Sequence, residues 1–144
     1  SGVYATQSSA PTISNSTISN NSGGIYGEWA GDLTVTNSTI SNNSGNAGVY
    51  IREAVGDVTI TNSIISNTSG YGMYYDTAQS GFSLSVSDST VSNNSGAGIN
   101  IYNPQTALAF TITNNSISNN SRDGLYYENS SIVWSYFIKK RTKF

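Results

Sequence analysis

Five of the ten tyrosines recur along the chain at the same place, two residues after a glycine. If these segments are strands stacked in register, the rings point outward as one column, and a second outward column lies two residues further on. The first column is Tyr4, Tyr26, Tyr50, Tyr74, Asn100 and Tyr126, and the second is Thr6, Glu28, Arg52, Asp76, Tyr102 and Glu128. Together with nearby Trp29, these aromatic and polar groups could bind saccharide, because sugar rings present both apolar faces and hydroxyl edges.

The tyrosine column also has a purely structural explanation. Tyr is a favourable strand residue, and rings stacked on neighbouring strands stabilise a sheet without any ligand. The sequence leaves both explanations open. If the column is functional, the predicted ligand-binding residues are Tyr26, Tyr50, Tyr74, Tyr126, Glu28, Arg52, Asp76 and Trp29.

Three charged residues of the second column, Glu28, Arg52 and Asp76, alternate in sign. One interpretation is a ladder of exposed ion pairs, each worth at most about 1 kcal/mol. The other is catalytic, since two turns would separate the carboxylates by about 9 to 10 Å, near the upper limit for an inverting glycosidase. Arg52 between them suits charge compensation better than a catalytic water, so no catalytic residue is predicted.

The composition excludes several kinds of site. The chain has no cysteine and no histidine, which rules out disulfides and thiolate metal sites and removes the commonest general base. Asp32 and Asp57 align before neighbouring strands, where they either point into solvent or share a cation such as calcium. We favour solvent and predict no metal and no cofactor.

Charge and hydropathy exclude two kinds of partner. The formal net charge is −2, and four of the six Lys and Arg residues lie after position 138, so there is no broad basic field for nucleic acid. No apolar stretch reaches the roughly 20 residues needed to cross a bilayer. We therefore predict neither a nucleic-acid partner nor a membrane span.

An internal repeat positions the candidate residues. Five copies of one unit run through the chain, among them TISNSTISNNSGGIY at 12–26 and TITNSIISNTSGYGMY at 59–74. The glycine before each tyrosine strand recurs at 2, 24, 48, 72, 98 and 124, so the unit is 22 to 26 residues long, and its length varies mainly at one corner. Alternation with period two, as in Thr34-Val35-Thr36, indicates strands, and a repeat of this length indicates a solenoid.

Stacking the copies produces three apolar columns. They are Val3, Ile25, Val49, Met73, Ile99 and Leu125; Ile13, Val35, Ile60, Val86 and Ile112; and Ile18, Ile40, Ile65, Val91 and Ile117. One turn cannot bury such a row, but turns about 4.8 Å apart make it a continuous core. We therefore predict an all-β parallel β-helix of about six coils with three sheet faces, over residues 1–130.

The abundant asparagines are explained by the corners between strands. Asn tolerates the left-handed conformation of a tight corner, and identical Asn side chains in register can hydrogen-bond along a stack. The two predicted ladders are Asn20, Asn42, Asn67, Asn93 and Asn119, and Asn15, Asn37, Asn62, Asp88 and Asn114. The single aspartate has no explanation at this stage. Many of these positions match N-x-[ST], but the repeat itself generates the matches, so we favour ladders over glycosylation.

The ISNN…GI units resemble the right-handed parallel β-helix repeat of pectate-lyase-like, surface-adhesin and polysaccharide-modifying proteins, over residues 2–128. The resemblance implies a right-handed coil and saccharide binding along an outer face. It does not fix the activity, since the superfamily includes lyases, hydrolases, epimerases and non-catalytic modules. A lyase of this type uses clustered acidic calcium ligands and a basic catalytic residue, and no positions here match either.

A second outward array consists of hydroxyl pairs. Its rows are Thr12/Ser14, Thr34/Thr36, Thr59/Thr61, Ser85/Ser87 and Thr111/Thr113. A flat array of threonine pairs is similar to the ice-binding face of some antifreeze proteins. Two rows contain serine and lack methyl groups that such a face needs, so simple β-propensity of Thr is the favoured explanation.

The two ends of the chain differ from the repeat. No N-terminal cap is visible, and an uncapped parallel edge invites end-to-end pairing with another chain. At 131–144 the repeat stops, and Trp134, Tyr136, Phe137 and Ile138 are predicted to cap the last turn ahead of a solvated basic tail.

From these observations we predict a non-catalytic extracellular or cell-surface module that presents a carbohydrate-binding or adhesive face to a polysaccharide or surface glycan. The alternatives are a polysaccharide-active enzyme, or a fragment of one, and an ice-binding protein.

Overall fold

The computed structural model describes residues 1–77, 81–103, 109–129 and 138–139. All regular structure in these residues is β-strand, and every strand pairs in parallel with its equivalents in the neighbouring turns. No helix in the described ranges has the length and apolar character to span a bilayer. The predicted all-β parallel solenoid with three sheet faces is confirmed.

Each of the first five turns contributes one strand to each of three sheets, and the described part of the sixth turn contributes strands to sheets A and B. Sheet A contains β1 (Val3–Thr6), β4 (Ile25–Glu28), β7 (Ala47–Arg52), β10 (Tyr71–Asp76), β13 (Ile99–Asn103) and β16 (Leu125–Asn129). Sheet B contains β2 (Thr12–Ser14), β5 (Leu33–Thr36), β8 (Val58–Thr61), β11 (Ser83–Ser87), β14 (Ala109–Thr113) and β17 (Ile138–Lys139). Sheet C contains β3 (Thr17–Ser19), β6 (Thr39–Ser41), β9 (Ile64–Ser66), β12 (Thr90–Ser92) and β15 (Ser116–Ser118). Six strands in sheets A and B agree with the predicted six coils.

The register is the one that the repeat predicts. Ile25 pairs with Val49, Val35 with Ile60, and Ile40 with Ile65. The central members of the three apolar columns are fully buried, and Val3 and Leu125 at the ends pack against the core while partly buried. Burial of stacked aliphatic side chains, worth about 1.5 to 3 kcal/mol each, is therefore what holds the coils together.

Two further inward columns were not predicted. One is the second inward position of sheet A, occupied by Ala5, Gly27, Ile51, Tyr75 and Ile101, and the other is the first position of sheet B, occupied by Leu33, Val58, Leu84 and Phe110. Their residue types vary more from copy to copy than the isoleucine columns do. Because of that variation, these two columns were not recognised from the repeated sequence pattern.

The corner asparagines are left-handed as predicted, but the ladder prediction is wrong by one residue. Residues such as Asn42 and Asn93 have φ near +55° and are exposed, and their amides donate to the preceding serine hydroxyl. Their backbone N–H groups donate to the next coil, but the side-chain hydrogen bonds between coils are made by the next, inward-pointing residue. Asp88 fits this arrangement, since its φ of 51° asks only for a residue that tolerates the left-handed conformation, as Asp does.

Two inward polar ladders result. The first runs from Asn21 to Asn43 and again from Thr68 through Asn94 to Asn120, with a gap where the buried Thr68 Oγ1 has no hydrogen-bond partner in the described chain. The second is unbroken and consists of Ser16, Ser38, Ser63, Ser89 and Asn115. In both, a side-chain oxygen of one coil accepts the backbone N–H of the preceding coil, as Asn94 Oδ1 does from Thr68 at 3.0 Å. These bonds satisfy corner amides that the sheets leave unpaired.

Most of the predicted C-terminal cap lies outside the described residues, including Trp134, Tyr136 and Phe137. Of residues 131–144 the structure describes only the backbone of β17, where Ile138 pairs with Ile112 and Lys139 with Thr113. These two residues extend sheet B by one strand.

Candidate functional site

The tyrosine column is an aromatic stack along the outside of sheet A. Successive ring centroids from Tyr4 through Tyr26 and Tyr50 to Tyr74 are 5.3, 5.3 and 4.9 Å apart, with interplanar angles of at most 12°. Strand spacing produces this distance, because the four residues pair in register on adjacent strands. The register predicted from the sequence therefore places these four rings next to one another, as the structure shows.

Stacking changes what the rings can offer a ligand. Each inner ring has a neighbour on both faces, so Tyr26 and Tyr50 present edges and hydroxyls to the outside, not faces. Only the ends of the stack can expose a face, and Tyr4 at one end is 60% exposed. A sugar lying along this strip would meet a row of phenol hydroxyls.

The charged column beside the stack is only partly the predicted ladder. Arg52 contacts Glu28, with Nη1 to Oε1 at 3.5 Å, and its own neighbour Glu53, with Nε to Oε1 at 3.6 Å. Glu28 also lies 3.5 Å from the Tyr4 hydroxyl, which donates to it. No ion pair joins Asp76 to Arg52 in the described part of the chain. These pairs are solvent-exposed, so their main effect is to fix side-chain positions.

Asp76 is half-buried at the end of β10. Burial raises the pKa of its carboxyl, the Glu53 charge raises it further, and Arg52 opposes both. A raised pKa suits a proton donor. Arg52, however, pairs with Glu28 and lies between Glu28 and Asp76 in the strand register, where an inverting mechanism needs room for water.

Tyr126, another predicted site residue, does not belong to the stack. Asn100 lies between Tyr74 and Tyr126 in the register, and Asn100 is only 8% exposed, not part of an exposed column as predicted. Tyr126 is 41% exposed and its hydroxyl donates to Glu128 at 3.2 Å. The break in the column forms the floor of a groove of about 400 Å³.

Trp29 lies at the corner after β4, 47% exposed and with φ of 54°. A bulky residue in this conformation is unusual and costs about 1 to 2 kcal/mol. Neither ring face is stacked on another aromatic ring of the described chain. Trp29 is thus a free aromatic surface adjoining Glu28, as the sequence predicted.

The acidic pair Asp32 and Asp57 is exposed, in line with the favoured prediction, but its carboxylates also make hydrogen bonds that the sequence did not predict. Asp32 Oδ1 accepts the backbone N–H of Asp57 at 3.0 Å, and Asp57 Oδ1 accepts the N–H and hydroxyl of Ser83 at 2.7 and 3.0 Å. Each acid thus joins one coil to the next. In the described ranges no three acidic side chains converge as metal ligands.

The hydroxyl array lies on sheet B in the predicted register, with Thr34 paired to Thr59 and Ser85 to Thr111. A hydrogen bond of 3.4 Å links the Thr61 and Ser87 hydroxyls, which belong to neighbouring rows. The serine rows interrupt the methyl surface as the sequence indicated.

Sequence reasoning missed four residues around the groove and the charged column. Glu53 was not recognised as a partner of Arg52, and Tyr71, Tyr102 and Asn100 were not recognised as lining one cavity. The signal for Asn100 was present, because it is the one non-aromatic member of its column, but the consequence of a missing ring appears only when the column is seen as a stack.

Comparison with known proteins gives one match. A family model for the right-handed β-helix region matches residues 1–110. Searches of the curated proteins and of the solved structures find no match. The matched range contains the whole tyrosine stack, from Tyr4 to Tyr74, and the break at Asn100.

Proposed function

Because this chain belongs to the right-handed β-helix family, we propose that it is a non-catalytic module whose sheet A face binds carbohydrate outside the cell or at its surface. The observation that carries the proposal is the strip of four stacked tyrosines, hydroxyls outward, beside the Glu28–Arg52 pair and the free ring of Trp29. Fixed donors and acceptors next to an aromatic surface complement the hydroxyls and apolar faces of a saccharide.

The rigid register supports a repeating ligand. Neighbouring phenol groups are set at one spacing by the strands, and the ion pairs hold Arg52 and Glu28 in place before any ligand arrives. Preorganised groups lose little conformational entropy on binding. A polysaccharide chain lying along the strip would contact several coils in the same way.

The experiment uses a substitution that preserves the stack. Changing Tyr26, Tyr50 and Tyr74 to Ala would remove the ring contacts as well as the hydroxyls, and stability would fall with binding. In the triple Tyr→Phe variant the rings still stack, and only the hydroxyl row is lost. We expect retention on a polysaccharide array to fall at least tenfold while the unfolding midpoint changes little.

Trp29→Ala is a second test variant at the corner, where the ring makes no aromatic ring contact with the described tyrosines. Thr90→Ala on sheet C is the matched control and should leave retention unchanged. Full retention by both the triple Phe variant and Trp29→Ala would refute a saccharide site on this face.

The enzymatic alternative is supported by the raised pKa of the Asp76 carboxyl. It predicts release of product from a polysaccharide, abolished by Asp76→Asn and by Glu28→Gln. Product release that neither change affects would exclude this pair.

Ice binding on sheet B is supported by the register of the hydroxyl rows. It predicts thermal hysteresis that is lost on Thr34→Tyr or Thr59→Tyr. Absence of thermal hysteresis in the parent protein would exclude ice binding.

A further inference from the structure

The break in the tyrosine column at Asn100 leaves room for one ring. Tyr74 and Tyr126 flank Asn100 in the register, so their strands are two spacings, about 9.6 Å, apart. Elsewhere in the column a phenol ring fills the corresponding space and lies 4.9 to 5.3 Å from its neighbours. A ring of similar thickness placed above Asn100 would complete the stack.

The walls of this space are largely aromatic. Tyr71 leans against Tyr74, with ring centroids 5.6 Å apart and planes tilted by 41°. Tyr102 and Tyr126 line the same groove, together with Ala97, and its volume of about 400 Å³ exceeds that of a single ring. The face of Tyr74 that points toward Asn100 has no ring stacked on it from β13, unlike its opposite face, which Tyr50 covers.

The floor is polar and without a partner. Asn100 is only 8% exposed and lines the groove, and its amide, which makes no hydrogen bond to another described residue, can still be reached from the groove. An amide offers both a donor and an acceptor. A phenolic hydroxyl, which also donates and accepts, is the ring substituent that would satisfy it.

The rim does not favour a charged ligand. Arg122 and Asp123 bring opposite charges to the same edge, and Glu128 is already bonded to the Tyr126 hydroxyl. A neutral ring avoids the desolvation penalty that a charged one would meet between these groups.

We propose that this groove, the Asn100 slot, binds a single neutral phenolic ring that takes the place of the missing tyrosine in the stack. The proposal does not depend on saccharide binding by the strip, because Asn100 lies on a coil outside the strip and the ligand chemistry differs, although Tyr74 borders both sites.

The test uses 4-methylphenol, the tyrosine side-chain analogue, in an NMR titration of the whole chain. We expect saturable shifts of the Asn100 side-chain amide signals and of the Tyr74 and Tyr126 ring signals. The matched control is 4-methylcyclohexanol, which has the same substituents but no π system and should bind at least tenfold more weakly. Equal binding of the two compounds overturns the aromatic character of the slot.

Asn100→Tyr fills the slot with the chain's own ring. This variant should lose 4-methylphenol binding at least tenfold, while the unfolding midpoint stays the same or rises because the stack is completed. Unchanged binding by this variant contradicts the proposal.

A second variant keeps the slot open in case Asn100→Tyr does not fold. Tyr74→Leu removes one of the two rings that would stack on the ligand. It should weaken the binding of 4-methylphenol at least fivefold without weakening the binding of 4-methylcyclohexanol. Equal loss of both compounds would overturn the stacking geometry.

Two further arms identify the ligand class and separate this proposal from the proposed function. Methyl glucoside binding that Asn100→Tyr abolishes, with no binding of 4-methylphenol, would overturn the phenolic assignment in favour of a sugar. Retention on the polysaccharide array should be unaffected by Asn100→Tyr. Refutation of phenol binding at the slot can therefore be distinguished from refutation of saccharide binding at the strip.

Discussion

The hydroxyl of Tyr75 is buried in the core and has no hydrogen-bond partner in the part of the chain that the structure describes. Tyr75 occupies a position that Ile51 and Ile101 fill on the adjacent strands. An aliphatic neighbour on each side offers a phenol nothing to bond. A buried polar group in this state costs about 1 to 3 kcal/mol of desolvation.

Tyr75→Phe should therefore raise the free energy of unfolding by about 1 kcal/mol at pH 7, because it removes the orphaned hydroxyl and keeps the ring. Urea denaturation measures the change. Tyr50→Phe, whose ring lies in the outer stack, is the control and should stay within about 0.5 kcal/mol of the parent. A loss of more than about 1 kcal/mol in Tyr75→Phe would mean that the hydroxyl has a stabilising partner.

The tyrosines also predict a dependence of stability on pH. Burial, with smaller contributions from Asp76 and neighbouring tyrosines, raises the pKa of Tyr74 to about 12, and burial raises the pKa of Tyr75 as well. The unfolded chain loses these protons near pH 10 while the folded chain keeps them, so this stability is complete below pH 10 and falls as pH rises toward 12.

Unfolding free energies measured from pH 8 to 11.5 should therefore decline above pH 10. Tyr74→Phe should flatten the decline, since it keeps the stacked ring and removes one titrating group. A slope identical to that of the parent would show that Tyr74 titrates normally in the folded state.

At the scale of elements, each corner assigns opposite roles to two adjacent residues. Asn93 takes the left-handed conformation and is exposed, whereas Asn94 points inward and is 1% exposed. Asn94 accepts from Thr68 N–H and donates to the Asn120 side chain at 2.9 Å. The turn needs a backbone conformation at one residue and hydrogen bonds at the next.

Glycine substitutions separate these roles. Asn93→Gly should change the free energy of unfolding by less than about 1 kcal/mol, because glycine adopts positive φ freely. Asn94→Gly should lower it by about 2 to 4 kcal/mol, since several buried groups lose partners. Thermal and urea unfolding of the two variants provide the measurement, and equal effects would contradict the one-residue offset between turn and ladder.

At the scale of the whole molecule, coils contact mainly their immediate neighbours, and stability should be close to a sum over coils. Gly48 and Gly72 are equivalent positions just before Val49 and Met73, which pair in register. The chain can therefore be shortened by one coil without a change of register.

Deletion of residues 49–72 should give a folded β protein whose urea m-value is smaller by roughly a sixth, in proportion to the surface buried. Circular dichroism and urea denaturation test this. Deletion of residues 49–60 removes half a coil, joins a sheet A strand to a sheet B strand, and should prevent folding. A full-coil deletion that unfolds as badly as the half-coil deletion would argue against independent, equivalent coils.

The sequence by itself determined the register, because Ile25, Val49 and Met73 recur at equivalent places and only stacking buries them together. It also determined which residues point outward, since strand alternation places Tyr26 and Glu28 on one face. Both inferences need only the type and spacing of the repeated residues, which the amino-acid sequence contains.

Only the tertiary structure decided what neighbouring side chains do to one another. It showed that the stacked rings of Tyr26 and Tyr50 cover each other's faces and that Arg52 pairs with Glu53 as well as Glu28. It also showed that the side chain of Asn94, not that of Asn93, bonds between coils. The physical reason is that a repeat fixes where each Cα lies, whereas ring contacts, ion pairs and hydrogen bonds depend on side-chain directions and distances of a few ångströms that the spacing of residues does not encode.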